Sequence, residues 1–405
     1  MPSNDDKIKV LSRNPLFLLS LSLVAIGFGT FIFGLAGKHP ERAWQAYLIN
    51  FLLWSAIAQG GLLFSTIMHF VRARWSGPLS NLAETFTAFF PVSFVLFLLL
   101  FLGKNHIFPW LHQDLHGKEV WLNIPFLFAR DSFGLLVLYG LGFAYLYYAL
   151  RLKLDRSMSH GKIRTLLYRG WDQRTLDAET CRHRMTVFAI LYMLAFALVL
   201  SLIGYDLVMS MDPHWYSTLF GAYTFVKAFY VGLGGLIIFA SILHLNPKTE
   251  FKLKPSQFHD IGKLFFAFCL VWADFFYVQL VVIWYGNISE ETAYVIERTM
   301  MLPWKGLAWF VFTICFIIPF MILLSKKIKT MPRFMSVLCA VVIMGIWLEH
   351  LLLLGPAFNR DATALPLGLA DGLIFVGFFG LIVIAVMFFL NLFPEFARVP
   401  DTEKN

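Results

Sequence analysis

Long apolar runs alternate with short polar stretches along almost the whole chain. Ten of these runs have roughly the 20 residues that an α-helix needs to cross the hydrocarbon core of a bilayer. The predicted spans are residues 15–37, 44–71, 84–103, 131–150, 185–204, 219–244, 262–286, 305–325, 334–355 and 368–393. The pattern therefore predicts an all-α integral membrane protein with ten transmembrane helices, in a single polytopic domain over residues 1–405.

The composition supports this prediction and limits the chemistry of the chain. Hydrophobic residues make up 59% of the sequence and charged residues only 14%, which leaves too little polar surface for a soluble protein. The four cysteines are not spaced as metal ligands. The sequence also lacks a phosphate-binding glycine loop, a dinucleotide fingerprint and a CxxCH haem site. We therefore expect no redox cofactor of the chain's own.

Lysine and arginine fall unevenly on the two sides of the predicted spans. The two termini and every second loop hold 23 of the 33 basic residues, nine of them in the loop 151–184, whereas the remaining loops hold eight. The positive-inside rule then places both termini and this basic loop in the cytoplasm. The net charge of +8 accordingly reflects topology and attraction to anionic membrane lipid, and it does not indicate nucleic-acid binding.

The stretch 205–229, YDLVMSMDPHWYSTLFGAYTFVKAF, joins the end of one span to a chemically unusual start of the next. Asp206 and Asp212 flank an apolar VMSM sequence, and His214 and Trp215 follow in an aromatic belt typical of a membrane interface. Lys227 then lies inside the next span, where a charged side chain is costly and indicates function. A capped turn followed by a snorkelling lysine explains the pattern equally well.

Further ionisable residues lie within or at the ends of later spans. Asp274 is well inside the seventh span, and Glu349 and His350 are adjacent near the outer end of the ninth. At about 1.5 Å per residue, Lys227 and Asp274 both lie about 12 Å below the outer boundary. Successive antiparallel helices are usually neighbours, so we predict an ion pair between Lys227 and Asp274 if the two side chains face each other.

Two kinds of site are compatible with these residues. A proton path would use buried ionisable groups, and its candidates are Lys227, Asp274, Glu349, His350 and Asp206. A quinone site at the outer face would need a carboxylate or histidine as proton acceptor, and its candidates are Asp206, Asp212, His214 and Glu349.

The predicted outer loop 104–130 carries two further features. His112 and His116 have the i, i+4 spacing of zinc ligands on a helix, but no further ligand accompanies them, so we predict no metal site. The apolar residues 121–131, WLNIPFLFARD, predict an interfacial segment on the outer face. Aromatic and arginine side chains are typical of protein interfaces, and the candidates for docking partners are Trp121, Arg130, Asp131, His214 and Trp215.

Several of these motifs together resemble the NrfD-like family, which includes the membrane subunit of polysulfide reductase. The motifs are WLNIPFLFARD (121–131), DLVMSMDPHWYSTLFGAY (206–223), HDIGKLFFAFCLVWADFF (259–276), VVIWYGN (281–287) and WLEH (347–350). Within the family they look most like the ActF-type subunit of bacterial alternative complex III, a quinol:electron-acceptor oxidoreductase. Family members often have arginine where this chain has His350.

The resemblance implies two four-helix bundles, spans two to five and six to nine, with spans one and ten outside them. It implies a bacterial inner membrane and several partners: a sister NrfD-like membrane subunit, a periplasmic iron–sulfur protein, multihaem and monohaem cytochromes c, and a terminal oxidase. Haem c and iron–sulfur clusters would belong to these partners. The family has no cofactor of its own and is associated with quinol binding and proton movement.

The expected function is therefore that of a membrane subunit in a quinol-oxidising respiratory complex that passes electrons to cytochrome c or an oxidase. Its own role would be docking and proton translocation, and whether it is itself catalytic stays open. Two alternatives remain. A stand-alone proton- or ion-coupled secondary transporter fits intramembrane lysine and aspartate equally well. A quinone-binding enzyme subunit in its own right fits the outer carboxylates and His214.

Overall fold

The computed structural model describes residues 14–113, 115, 117–153, 178–359 and 363–397. These residues contain helices and no strand, and ten of the helices are long and apolar enough to cross a membrane. The helices are α1 (Pro15–Leu35), α2 (Pro40–Phe70), α3 (Gly77–Ile107), α4 (Ile124–Lys153), α5 (Ala178–Met211), α6 (Leu219–Leu245), α7 (Pro255–Gly286), α8 (Trp304–Leu323), α9 (Pro332–Phe358) and α10 (Leu369–Leu392). The prediction of an all-α membrane protein is confirmed.

Local sequence explains where several of these helices begin. Proline is the first residue of α1, α2, α7 and α9, a position where its missing N–H has no helical partner to lose.

The helices α3 and α4 each begin seven residues before the predicted span, at Gly77 and Ile124. Residues 124–131 therefore form the first turns of α4, and the prediction that 121–131 lies as a separate segment on the outer face is wrong.

The ten helices form two bundles and a peripheral pair. α2 to α5 pack around one another, and so do α6 to α9, while α1 and α10 pack against each other outside the bundles, with α10 also touching α2. The bundles meet chiefly where α2 crosses α6. Below, the end that carries the turn 205–218 is called outer and the opposite end inner, after the predicted orientation.

Two of the described helices are interrupted near the middle of their length. α3 tightens into a 3-10 turn at Phe86–Phe89, and α8 widens into a π turn at Thr313–Ile317. Each irregular turn comes just before a proline, Pro91 or Pro319. A proline removes one backbone hydrogen bond and crowds the preceding turn, which accounts for both interruptions.

Glycines set the distance between the two bundles. Gly60 of α2 and Gly232 of α6 lie backbone against backbone, so that a methyl group on Gly60 would overlap the carbonyl of Ala228. A methyl group on Gly232 would overlap the backbone of Gly60. Small residues allow membrane helices to approach this closely and to gain van der Waals contact.

We expect Gly232→Val to destabilise the protein by about 3 kcal/mol, because the valine side chain would have to push two helix backbones apart. The matched control is Gly140→Val, since a side chain at Gly140 would meet no atom within 4 Å. Thermal unfolding of both variants in detergent checks this prediction. Equal unfolding temperatures would contradict the close crossing of α2 and α6.

Candidate functional site

The central polar feature of the second bundle is Glu349 of α9, which is fully buried. Lys227 of α6 places its Nζ 3.2 Å from Glu349 Oε1, and the Tyr223 hydroxyl, one turn earlier on α6, donates to the same oxygen. Trp272 of α7 places its Nε1 3.4 Å from Glu349 Oε2. We call these four residues the Glu349 cluster. It satisfies a buried carboxylate with one cation and two neutral donors, as a low-dielectric interior requires.

The predicted pair between Lys227 and Asp274 is not formed. Lys227 is 4% exposed and contacts Glu349, whereas Asp274 lies on the exposed face of α7. Successive residues of a helix point about 100° apart, so Trp272, two residues before Asp274, faces the bundle interior while Asp274 does not. The depths of two residues on neighbouring helices do not determine the rotation of either helix, and rotation decides which residues meet.

His350 faces a different space from its neighbour Glu349. It is buried, with Nδ1 2.8 Å from the carbonyl oxygen of Ile346, so Nδ1 donates and the neutral ring keeps Nε2 as an acceptor. A cavity of about 30 Å³ lies between the two bundles, and its polar lining consists of Ser55, Gln59, Thr224, Lys227 and His350. That volume is large enough to hold a water molecule.

A stacked column closes the outer side of the second bundle. The rings of Trp215 and Tyr294 are parallel, 3.8 Å apart, and Arg298 Cζ lies 3.5 Å from the centre of the Tyr294 ring. The guanidinium reaches Asp212, with NH1 3.9 Å from Oδ2. Burial raises the pKa of Tyr294 to about 12, so its phenol stays protonated near neutral pH. Trp215 is thus held inside the protein, which corrects its assignment as a docking residue, while His214 beside it is exposed.

A second cavity, of about 80 Å³, separates this column from the Glu349 cluster. Trp215, Tyr223, Gln279 and Arg298 line it together with apolar side chains of α6, α7 and α9. Trp215 Nε1 and Gln279 Nε2 are buried and have no hydrogen-bond partner among the described residues. Buried N–H groups are costly when unpaired, so this cavity is suited to water or to a ligand with acceptor oxygens.

A second ion pair joins the outer ends of α4 and α5. Arg130 binds Asp206 through two bonds, Nε to Oδ2 at 2.6 Å and NH2 to Oδ1 at 2.7 Å. Trp121 Nε1 donates to Asp206 Oδ1 at 3.1 Å, and the Trp121 ring lies 4.0 Å from Arg130 Cζ. The two outer motifs that sequence analysis treated as separate docking surfaces are therefore bound to each other through Asp206.

Asp131 adjoins this ion pair and is unusual. It is fully buried, and neither of its carboxyl oxygens has a hydrogen-bond partner among the described residues. Its carboxyl group lies near the carboxyl group of Asp206 and the guanidinium group of Arg130. Because Arg130 is already bound to Asp206, Asp131 is a second carboxyl group beside a single cation, and its burial removes it from any docking surface.

Glu84, which the sequence places at the start of the third predicted span, is a fully buried carboxylate. It lies in α3 near the inner end of the first bundle, where Lys153 Nζ is 2.7 Å from Oε1 and 2.8 Å from Oε2. The Ser65 hydroxyl donates to Oε1 at 2.9 Å, and the Tyr145 hydroxyl lies 3.0 Å from that of Ser65. The sequence does contain a signal for this position. Ser76, Gly77 and Pro78 are typical of a helix start, and a helix that begins there has Glu84 in its second turn rather than at its end.

Other members of the site carried no comparable signal. Tyr223 and Trp272 are aromatic residues in apolar spans, where most such residues are core, and Arg298 lies on the short helix Ser289–Thr299 between two spans. The described residues contain no group of three or more His, Cys, Asp or Glu that could hold a metal ion. His116, the His112 side chain and residues 154–177 of the basic loop lie outside the described part.

No family model matches this chain, and no curated protein matches it either. The NrfD-like resemblance rests on the motifs quoted above.

Proposed function

We propose that this chain is a membrane subunit of a quinol-oxidising respiratory complex of a bacterial inner membrane, and that it conducts protons through the Glu349 cluster. The resemblance to the ActF-type subunit supports the assignment to such a complex. It also supplies the proposed partners: a sister NrfD-like subunit, a periplasmic iron–sulfur protein, cytochromes c and an oxidase. The redox cofactors would belong to those partners.

The observation that carries the proton-conducting role is the buried pair of Lys227 and Glu349 between two small cavities, each with a few polar groups in a mainly apolar lining. Ionisable side chains are rare within membrane spans and mark proton or ion pathways. Lys227 borders the cavity that His350 lines, and Tyr223 borders the cavity near Arg298. Water in the two cavities would supply the acceptors and donors that a proton needs on either side of Glu349.

A quinone-binding role is the second candidate, and the outer cavity favours it. Its two unpaired donors, Trp215 Nε1 and Gln279 Nε2, suit the carbonyl oxygens of a quinone ring, and aromatic side chains form its walls. Its volume of about 80 Å³ is less than the roughly 150 Å³ of a cavity that binds benzene, so binding requires side chains to move. A photoreactive quinone analogue that labels Gln279 would distinguish this role from a path that holds only water.

The transporter alternative has less support. Secondary transporters typically break their helices at equivalent places in two structural repeats. The interruptions here lie in α3, the second helix of the first bundle, and in α8, the third helix of the second. The two interruptions therefore do not occupy equivalent positions in the two bundles.

Isolation of the chain from its host membranes in mild detergent tests membership of a complex. We expect proteins with haem c to co-purify, recognised by their absorption spectrum, together with a second polytopic subunit. A chain that is isolated without any haem protein, under conditions that keep other respiratory complexes whole, would exclude the proposal.

Topology is predicted from charge and is measured independently. Reporters placed after Asn405 and within 151–184 are expected to be cytoplasmic, and one within 104–118 periplasmic, because 23 of the 33 basic residues lie on the side of the two termini. A periplasmic C-terminus would contradict the proposed orientation.

A further inference from the structure

One face of α7 is exposed, and it carries an ionisable residue, Asp274, near the middle of the predicted membrane span. Asp274 is exposed on this face and makes no hydrogen bond or ion pair with any described residue. It lies twelve residues before the helix end at Gly286, or about 18 Å along a helix that is about 48 Å long. A carboxylate at such a depth against lipid tails is costly, and such residues nearly always face protein or water.

The residues above and below Asp274 form a continuous stripe. Their spacing alternates between four and three residues, which is the spacing of a helix–helix contact seam. The stripe consists of Lys263, Ala267, Leu270, Asp274, Tyr277, Val281 and Trp284. Tyr277 is 61% and Trp284 68% exposed, so the bundle leaves most of this seam uncovered over the full thickness of the membrane.

We propose that this seam of α7 docks a transmembrane helix of a second, different subunit, and that this helix places a lysine, arginine or histidine opposite Asp274. The argument is charge complementarity: a basic side chain at that depth would satisfy both charges, as Lys227 and Glu349 do inside the bundle. A second copy of this chain fits poorly, because an isologous contact would bring Asp274 against Asp274. The proposal does not depend on quinol oxidation and holds for any partner with a membrane helix.

Site-specific photocrosslinking in the native host tests the seam directly. A photoreactive amino acid replaces Tyr277, and the control carries it at Leu198 of α5, which is 73% exposed and has no charged residue within two helical turns on its face. We expect Tyr277 to crosslink to a membrane-spanning peptide of another protein with a basic residue near its centre, identified by mass spectrometry, and Leu198 to crosslink to lipid. Adducts at Tyr277 with lipid alone, with a second copy, or with a helix that lacks a basic residue would overturn the proposal.

The charge of Asp274 is tested separately. Asp274→Leu should leave the subunit inserted and folded, since the side chain contacts no described partner within it. Without crosslinking, the amount of the partner that co-purifies with this variant in detergent should fall by roughly tenfold or more. Exchange of the two charges, with Asp274→Lys here and aspartate at the basic position of the partner, should restore retention. Full retention with Asp274→Leu, or no recovery in the exchanged pair, would show that the carboxylate does not hold the partner.

Discussion

Replacement of Lys227 by methionine is expected to destabilise the protein by about 3–5 kcal/mol, because it leaves the carboxylate of Glu349 buried without a cation. Tyr223 and Trp272 still donate to that carboxylate, but neutral donors do not balance its charge. Thermal unfolding of the purified subunit in detergent measures the loss. The variant is also expected to lose proton coupling, because the pair is the central element of the proposed path.

The double variant separates interaction from simple loss. Lys227→Met combined with Glu349→Leu should be more stable than Lys227→Met alone, because removal of both charges of a buried pair is less costly than removal of one. The matched control combines Lys227→Met with Asp274→Leu, in which the two effects should add, since Asp274 faces away. Additive effects in the first pair, or recovery in the second, would contradict the arrangement around Glu349.

Stability and function are distinguished by turnover measurements on the double variant. If the double variant assembles and still oxidises quinol but no longer moves protons, the pair conducts protons. Proton coupling that persists without both residues would exclude the Glu349 cluster as the path and leave it a structural pair.

The helices were predictable because lipid imposes a simple rule, whereas their grouping into two bundles was implied only by the family resemblance. Every backbone group must be satisfied within a span, so each apolar run of about 20 residues becomes a helix. Two errors in the bounds, at the starts of α3 and α4, share a cause. Glu84 and Asp131 end the apolar runs in the sequence, but both lie inside a helix, Glu84 because Lys153 pairs with it and Asp131 because it adjoins the Arg130–Asp206 pair. Hydropathy alone does not distinguish a charge that ends a span from one that has a partner within it.

The partner of Lys227 was not predictable in the same way. Both Asp274 and Glu349 lie at suitable depths on neighbours of α6, and the choice depends on the rotation of α7 and α9. That rotation follows from packing, including the contact of Trp272 with Glu349. The adjacency of Glu349 and His350 did indicate that the two would face different directions, and they line different surroundings.

The first bundle contains the second test of large effect. Arg130→Met is expected to destabilise the protein by about 3–5 kcal/mol or more, because it leaves two buried carboxyl groups, Asp206 and Asp131, beside each other without a cation. Arg130→Lys should recover only part of the loss, since an ammonium group cannot form the two parallel bonds that the guanidinium makes with Asp206. Trp121 would lose its stacked partner in both variants, so both should also loosen the outer segment.

Asp131→Asn provides the matched control for that experiment. The amide has the shape of the carboxyl group and leaves the pair of Arg130 and Asp206 intact, so we expect a change of about 1 kcal/mol or less. Asp206→Asn, which removes the bound carboxylate instead, should approach the loss of Arg130→Met because the guanidinium is then buried without its anion. Thermal unfolding in detergent ranks the four variants. If Asp131→Asn proved as damaging as Asp206→Asn, both carboxyl groups would share Arg130 equally, and the assignment of the ion pair to Asp206 alone would be wrong.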